Sequence, residues 1–373
     1  MKKILLVTLQ GNFNFGNRLQ NYALQTVLER MGASVDSLTT SNETWRLTKI
    51  RIRNLLNYFQ TYFFKHDWSS YSSLRRTIKC IKFSKKYIPG LRYVPINRIQ
   101  QTDWTIYDCV VAGSDQIWHN WHTRENELSY YYLDFIPNNK KIAYAPSFGF
   151  EQFPEKDLQI HQKGLSSFRF LSCRETKGCE LIFNLTGKKA EKVLDPTLLL
   201  SANDWEKLER RPSRINQDSY IFVYFIGDII EEYNTEISRI RKNRNLEVIS
   251  FNDKSNPSRY GISPQEFIWL IHNADTICTD SFHASVFSIL FKKRLRVFCR
   301  TDSNGNMFGR LDDLLRPLGL MKNIYGSSAS NDDLETQLSP EAEIILAKAK
   351  EKSIKYLTTS VDSICKEISY AKN

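Results

Sequence analysis

Three side chains suited to acid–base work or anion binding stand close together at Asp280, Ser281 and His283, within Thr279-Asp-Ser-Phe-His-Ala-Ser-Val-Phe-Ser-Ile-Leu-Phe291. His283 is the one able to trade a proton near neutral pH. The stretch follows a strand-like run, Thr276 to Cys278, and continues as an almost wholly apolar helix (Val286, Phe287, Ile289, Leu290, Phe291) that should be buried. A strand feeding a buried helix through a polar elbow sets its polar residues at the carboxyl edge of a sheet, where α/β proteins bind ligands. Free N–H groups and a partial positive charge at the helix start favour an anion there. Asp280, Ser281, Phe282 and His283 are therefore expected to meet a negatively charged substrate. For His283 taken alone, capping or packing is an equal reading.

Other residues at predicted strand ends carry similar chemistry. Gly11 to Asn17 forms a Gly/Asn-rich turn without Gly-x-Gly-x-x-Gly, so it is no dinucleotide fingerprint. Asn14, Gly16 and Asn17 in it are candidates to cradle a sugar or phosphate, against a plain tight turn. Ser114 and Asp115 occupy a second elbow, where a carboxylate takes a proton from a sugar hydroxyl, holds the sugar, or caps the next helix. Arg174 follows a buried strand with Glu175 beside it, placed to bind a carboxylate or phosphate through two parallel hydrogen bonds or to pair with an acid. Asn304 and Arg310 lie in a loop before a helix and offer another cationic contact, and Gly227 ends a further strand. His119 and His122 stand three apart with no carboxylate in a third place, and they read, with His66, His161 and His272, as packing or surface histidines. No zinc spacing, Walker loop or Gly-x-Ser-x-Gly occurs.

The elements that must position these residues alternate strand and helix. Lys3–Leu9, Val35–Leu38, Asp108–Ala112, Lys141–Ala145, Phe170–Cys173 and Lys192–Leu194 read as strands of a first half. A helix from about Arg18 to Met31, closed by Gly32, follows the first strand. After a polar stretch over 204–217 the pattern restarts with Tyr220–Phe225, Leu246–Phe251, Thr276–Cys278 and Leu295–Cys299. The expected fold is α/β, with two Rossmann-like domains facing across a cleft. Residues 1–205 form the N-terminal domain, with a basic helical insertion at about 41–100, and 215–335 the C-terminal one. A helix over 339–369 is expected to pack back on the first domain.

Composition narrows the class. The 373 residues, 41% hydrophobic and 25% charged, suit a globular protein of two domains. The opening Met-Lys-Lys-Ile-Leu-Leu-Val imitates a signal peptide, but its apolar run, Ile4 to Val7, falls short of the roughly 7–15 residues an h-region needs, so a buried strand is expected. Seven cysteines without a Cys-x-x-Cys, several inside apolar strands, fit a reducing, cytoplasmic compartment. The net charge of +11 is local: between Arg46 and Arg92 twelve Lys and Arg face one acid, Asp67, a surplus equal to the whole excess. A nucleic-acid binder would carry its charge across the working face, so no nucleic-acid partner is expected.

Taken in order, the motifs resemble the polysaccharide pyruvyl transferase family. The matching pieces are Asn14-Phe-Gly-Asn-Arg-Leu-Gln-Asn-Tyr-Ala-Leu-Gln, Val111-Ala-Gly-Ser-Asp-Gln-Ile-Trp, Ile142-Ala-Tyr-Ala-Pro-Ser-Phe-Gly, Cys173-Arg-Glu, Val193-Leu-Asp-Pro-Thr-Leu-Leu-Leu, Thr279-Asp-Ser-Phe-His-Ala and Arg310-Leu-Asp-Asp-Leu-Leu. The resemblance implies a GT-B-like fold and transfer of a pyruvyl group from phosphoenolpyruvate onto two hydroxyls of one sugar. The product is a cyclic ketal on a bacterial surface polysaccharide or its precursor, capsule or exopolysaccharide, and phosphate is released. Arg174 and His283 match the family's arginine and histidine positions, whereas Asn17 stands where the family often carries Asp or Ala.

The residue types suit that reaction. Phosphoenolpyruvate carries a phosphate and a carboxylate, its C3 must be protonated, and a sugar hydroxyl must lose a proton as it attacks C2. His283 is assigned as general acid, Arg174 and Arg310 as anion clamps, and Asp115 as base or acceptor ligand; each positioned acid or base contributes roughly 10²–10⁴-fold. No metal or organic cofactor is called for. The basic, aromatic segment 46–92 is expected either to dock on an anionic membrane surface or an undecaprenyl-diphosphate-linked acceptor, peripherally at the inner face of the cytoplasmic membrane, or to form a lid over the acceptor. The alternatives are a nucleotide-sugar glycosyltransferase of the same architecture and a non-catalytic glycan- or membrane-binding protein.

Overall fold

The computed structural model describes residues 1–11, 14–40, 68–119, 127–213, 215–254, 260–300, 308–327 and 334–371. Two parallel sheets organise it. In the first half, β1 (Lys2–Val7), α1 (Phe15–Arg30) and β2 (Ala33–Thr39) are followed by α2 (Trp68–Tyr87), β3 (Leu91–Tyr93) and β4 (Cys109–Ala112). Then come α3 (Glu127–Tyr131), β5 (Lys141–Ala143), α4 (Leu158–Ser166), β6 (Ser172–Cys173), α5 (Thr176–Thr186), β7 (Glu191–Lys192) and α6 (Ala202–Glu206). The strand order is β3-β2-β1-β4-β5, and β6 and β7 pair beside it through a bridge from Ile142 to Phe170. Ile4 to Val7 are all buried because helices cover both faces of a parallel sheet.

The second half holds β8 (Ile221–Tyr224), α7 (Glu231–Arg244), β9 (Val248–Ser250), α8 (Pro264–His272), β10 (Thr276–Thr279), α9 (Phe282–Leu290), β11 (Arg294–Val297) and α10 (Phe308–Leu315). Its sheet runs β11-β10-β8-β9, again parallel. The last helix, α11 (Pro340–Ala371), returns to the first half: Tyr356 Oη donates to Ala143 O at 3.0 Å, Ser353 Oγ accepts from Leu194 N at 2.9 Å, and Asp362 pairs with Lys2. It also packs on Arg316–Leu318 of the second half, so it ties the two together.

One apolar core runs through both halves. Phe15 stacks on Phe267 with ring centroids 5.0 Å apart, and Trp205 meets Phe287 at 4.9 Å. Each such fully buried side chain is worth roughly 1.5–3 kcal/mol, so the seam between the sheets is packed along much of its length. Three sequence expectations change. The stretch 41–100 is not wholly an insertion, because Leu91–Tyr93 supplies the edge strand of the first sheet. The first helix begins at Phe15, capped by Asn14 accepting from Gly16 N at 2.9 Å, so Gly16 and Asn17 are helical and not part of a turn. The stretch 204–217 opens inside α6, whose Ser201–Asp204 capping box and fully buried Trp205 fasten it to the core.

The part of the basic segment that is described, α2, is also built into the fold. Arg76 lies 3.5 Å over the Tyr260 ring and donates to Tyr260 O, Lys79 pairs with Glu266 of α8 at 2.7 Å, and Phe83 is buried against Tyr22. Arg76 and Lys79 thus join the two halves and are taken up there, while Lys82, Lys85 and Lys86 remain exposed. Residues 46–67, with His66, lie outside the described residues.

Candidate active site

The carboxyl ends of both sheets open toward the same seam, and that geometry gathers residues distant in sequence. The first half contributes Asn17 from the first turn of α1, Ser114 and Asp115 after β4, Arg174 after β6 and Asp195 after β7. The second contributes Phe282 and His283 from the first turn of α9 and Arg310 from α10. Each of these except Phe282, whose ring packs on Arg174, is polar and nearly buried.

Asp115 adopts a left-handed backbone, φ 74°, a conformation a non-glycine residue holds only where its surroundings enforce it. Its carbonyl accepts from Ile117 N at 2.8 Å and Ser147 N at 2.9 Å, which fixes the elbow. Its carboxylate turns into the seam, where Asn17 Nδ2 donates to Oδ2 at 2.6 Å. Arg174 spans the two carboxylates: Nη1 donates to Asp195 Oδ2 at 2.6 Å and Nη2 reaches toward Asp115 Oδ1 at 3.5 Å. Its guanidinium lies 4.5 Å over the Phe282 ring. Arg174 is thus both a candidate ligand contact and a member of a structural acid pair, with Asp195 and not with the adjacent Glu175.

His283 is clamped between the halves. A Cβ on Gly16 would lie 2.1 Å from His283 Nδ1, so only glycine lets the starts of α1 and α9 approach this closely. The opposite ring nitrogen, Nε2, lies 3.8 Å from Asp195 Oδ2. His283 Nε2 and Arg174 Nε are buried and meet no hydrogen-bond partner among the described residues. Burial depresses the His283 pKa below the ordinary 6.5; Asp195 and Asp115 oppose that, while Arg174 and Arg310 reinforce it. Burial also brings Arg310 down to about 10, with Arg174 as the next cause. For Asp195, burial pushes upward but is outweighed by His283, Arg174 and Thr197, and the carboxyl is held at about 2. The site therefore rests with its carboxylate charged and its imidazole biased toward neutrality.

Beside this cluster lies a cavity of about 250 Å³, bounded by Arg174, Asp195, Phe282 and Arg310 on one side and by Leu314 and Leu346 on the other.

Several expected residues serve the fold instead. Asp280 takes Ile226 N at 2.7 Å and Gly227 N at 2.8 Å on its two oxygens, so its carboxylate and the Gly227 amide satisfy each other. Ser281 caps α9 by accepting from Ala284 N at 3.4 Å, and Asn14 caps α1. His119 packs edge-on to Phe150, His161 shares a 2.6 Å hydrogen bond with Tyr132, and His272 pairs with Glu209 at 2.9 Å. Asn304 and His122 lie outside the described residues. The residue that motif reading passes over is Asp195. Its signal was available: a carboxylate directly after a strand, before Pro196, in the same relation to its sheet as Asp115. Among the described residues, no group of three His, Cys, Asp or Glu could hold a metal ion, and no helix is long and apolar enough to cross a membrane.

The family model described as polysaccharide pyruvyl transferase matches residues 14–298, a span that contains this cluster up to α9. The chain belongs to that family. No curated protein matches it in sequence. Among solved structures, the chain is similar to Staphylococcus aureus MnaA in complex with UDP, at 11% identity and a TM-score of 0.51, covering 100% of this chain and 97% of that one. It is also similar to the UDP-GlcNAc 2-epimerase of Neisseria meningitidis bound to UDP-GlcNAc, at 12% identity and a TM-score of 0.44, with 100% of both chains covered. At 11% identity the likeness to the S. aureus structure concerns the fold, two Rossmann-like domains of GT-B type. In this polysaccharide pyruvyl transferase, then, His283 and Arg174 stand on opposite halves of that fold and meet at its seam.

Proposed function

We propose that this transferase moves a pyruvyl group from phosphoenolpyruvate to two hydroxyls of a sugar, forming a cyclic ketal on a surface polysaccharide or its precursor. The observation that carries the reading is the convergence on His283 of two guanidiniums, Arg174 and Arg310, and the N-terminal end of α9. A donor with a phosphate and a carboxylate needs such a set, since charge-assisted and helix-start contacts both favour anions. Membership of the family supports the choice of reaction.

In this reading His283 delivers the proton from Nε2 to C3 of the donor as a sugar hydroxyl oxygen bonds to C2. Asp115 accepts the proton that hydroxyl loses. The second hydroxyl then bonds to C2 as the C2–O bond to phosphate breaks and its own proton passes to the departing phosphate, giving ketal and inorganic hydrogen phosphate. The low pKa of His283 in the ligand-free enzyme fits this sequence if the donor's own negative charge, arriving beside the imidazole, draws the proton onto it. No resident cofactor is needed for these steps. The acceptor, by the same resemblance, is a glycan carried on undecaprenyl diphosphate at the inner face of the membrane. Docking there falls to residues 46–67 and to the exposed Lys82, Lys85 and Lys86. Flotation with anionic liposomes should show binding that disappears with the segment; binding unchanged by its removal would leave the lid as its role.

The reaction is tested by phosphate release from phosphoenolpyruvate with and without a glycoside acceptor. Acceptor-dependent release is expected. Turnover of a nucleotide sugar with phosphoenolpyruvate inert would replace this reading by the glycosyltransferase one.

A further inference from the structure

Asp195 and Asp115 are both buried carboxylates beside His283, yet they are held in different ways. An ionised carboxylate offers about four acceptor positions. On Asp195 all four are taken: Oδ1 accepts from Thr197 N at 3.0 Å and Thr197 Oγ1 at 2.6 Å, and Oδ2 from Arg174 Nη1 at 2.6 Å and Ser114 Oγ at 3.0 Å. Its side chain is 0% exposed. Taking up a proton would cost it one of these donors. Asp115, by contrast, has one short hydrogen bond, from Asn17, and the longer approach of Arg174. The second carboxylate therefore retains acceptor capacity and the first does not.

At 3.8 Å, His283 Nε2 is too far from Asp195 Oδ2 for a hydrogen bond but well within the range at which an opposite charge favours the charged form. The charged groups facing the imidazole are Asp195 after β7, Asp115 after β4, Arg174 after β6 and Arg310 on α10. Its Nδ1 edge faces Gly16, and the Phe282 ring stands edge-on to it with centroids 5.3 Å apart. Two cations and burial push the proton off, and the fixed anion nearest Nε2 is Asp195.

We propose that Asp195 is a positioning residue for proton transfer: a permanently ionised carboxylate, locked by four donors, that favours the protonated form of His283 against the neighbouring cations and leaves Asp115 to receive the acceptor's proton. The two carboxylates have separate tasks because their environments differ, one saturated with donors and one not. This rests on the pyruvyl-transfer reading for the purpose of the proton, but the electrostatic arrangement itself is independent of any substrate.

The test uses the full-length, ligand-free enzyme. The six histidines are followed by NMR of their ring carbon–proton pairs across pH, with His283→Gln identifying the signal of interest. In Asp195→Asn the His283 midpoint should fall by about one pH unit or more, the scale of losing an opposite charge at this distance. The protonated fraction at a given pH above the midpoint then falls about tenfold. Asp115→Asn should shift it less. If Asp195→Asn does not fold, Ser114→Ala keeps the charge and frees Oδ2 of one donor, and the His283 midpoint should rise. An unmoved midpoint in whichever of these variants folds overturns the proposal. In the kinetics, turnover by Asp195→Asn should recover toward the wild-type rate as pH falls, whereas a merely structural loss would be equal at every pH. Should phosphoenolpyruvate prove inert while the midpoint moves as expected, the dyad stands and the donor assignment fails.

Discussion

The elbows after β4 and β10 carry much the same letters, Gly-Ser-Asp at 113–115 and Thr-Asp-Ser at 279–281, yet their aspartates do opposite things. Asp280 bends back into its own half and is consumed by the amides of Ile226 and Gly227, with Arg300 Nε 3.5 Å away. Asp115 is held in a left-handed backbone that turns its carboxylate outward to Asn17 and Arg174. The first carboxylate builds the platform on which α9 presents His283; the second faces the seam, where we propose it takes part in the reaction. A carboxylate at a strand's end is thus a placement, and its use depends on whether a neighbouring strand offers it free amides.

That contrast can be broken by substitution. Asp115→Asn should lower kcat by about 10²–10⁴, the contribution of a positioned base, while the melting temperature hardly changes. If activity survives, Asp115 leaves the chemistry. Gly16→Ala tests the platform from the other side. The added methyl forces His283 aside, and a displacement of that order costs about 10²-fold in rate even though alanine suits a helix better than glycine. A fully active Gly16→Ala enzyme would show that the imidazole need not sit against α1. Asp280→Asn should act on stability, by roughly 1.5–3 kcal/mol, because one of the two amides loses its hydrogen bond to a charged acceptor. Thermal unfolding reads this out, and a variant that melts normally but cannot turn over would move Asp280 into the reacting group.

The mildest effect concerns pH. Burial holds the His283 pKa below 6.5 in the free enzyme, and the proposed anionic donor is expected to raise it, so donor binding should take up a proton. Affinity should therefore rise as pH falls from the bound-state pKa toward the lower free-state one, by at most about tenfold per pH unit. Calorimetry in buffers of different ionisation enthalpy measures the uptake; no uptake would mean that His283 does not change charge on binding.

Much of this was legible in the chain. Apolar runs such as Ile4–Val7 and Thr276–Cys278 announced parallel strands, and the polar residues after them marked the sheet edges that form the site. Less legible was anything set by contacts between distant segments. The start of α1 moved to Phe15 because that ring is anchored on Phe267 and Tyr224 of the other half, which no local turn propensity foretells. The basic character of Arg76 and Lys79 suggested a membrane, but their partners, Tyr260 and Glu266, lie some 180 residues away. Asp195 escaped for a related reason: its importance comes from Arg174, Ser114 and His283, none of them its neighbour in sequence.

Pyruvyl transfer from phosphoenolpyruvate is the reaction proposed for the seam around His283. The most direct measurement incubates the enzyme with phosphoenolpyruvate and a panel of synthetic or lipid-linked glycosides and reads the products by mass. The expected result is a glycoside that gains a pyruvate ketal with one phosphate released per ketal, and no such product with His283→Ala. A ketal formed equally well by His283→Ala, or transfer of a sugar from a nucleotide donor in its place, would contradict it.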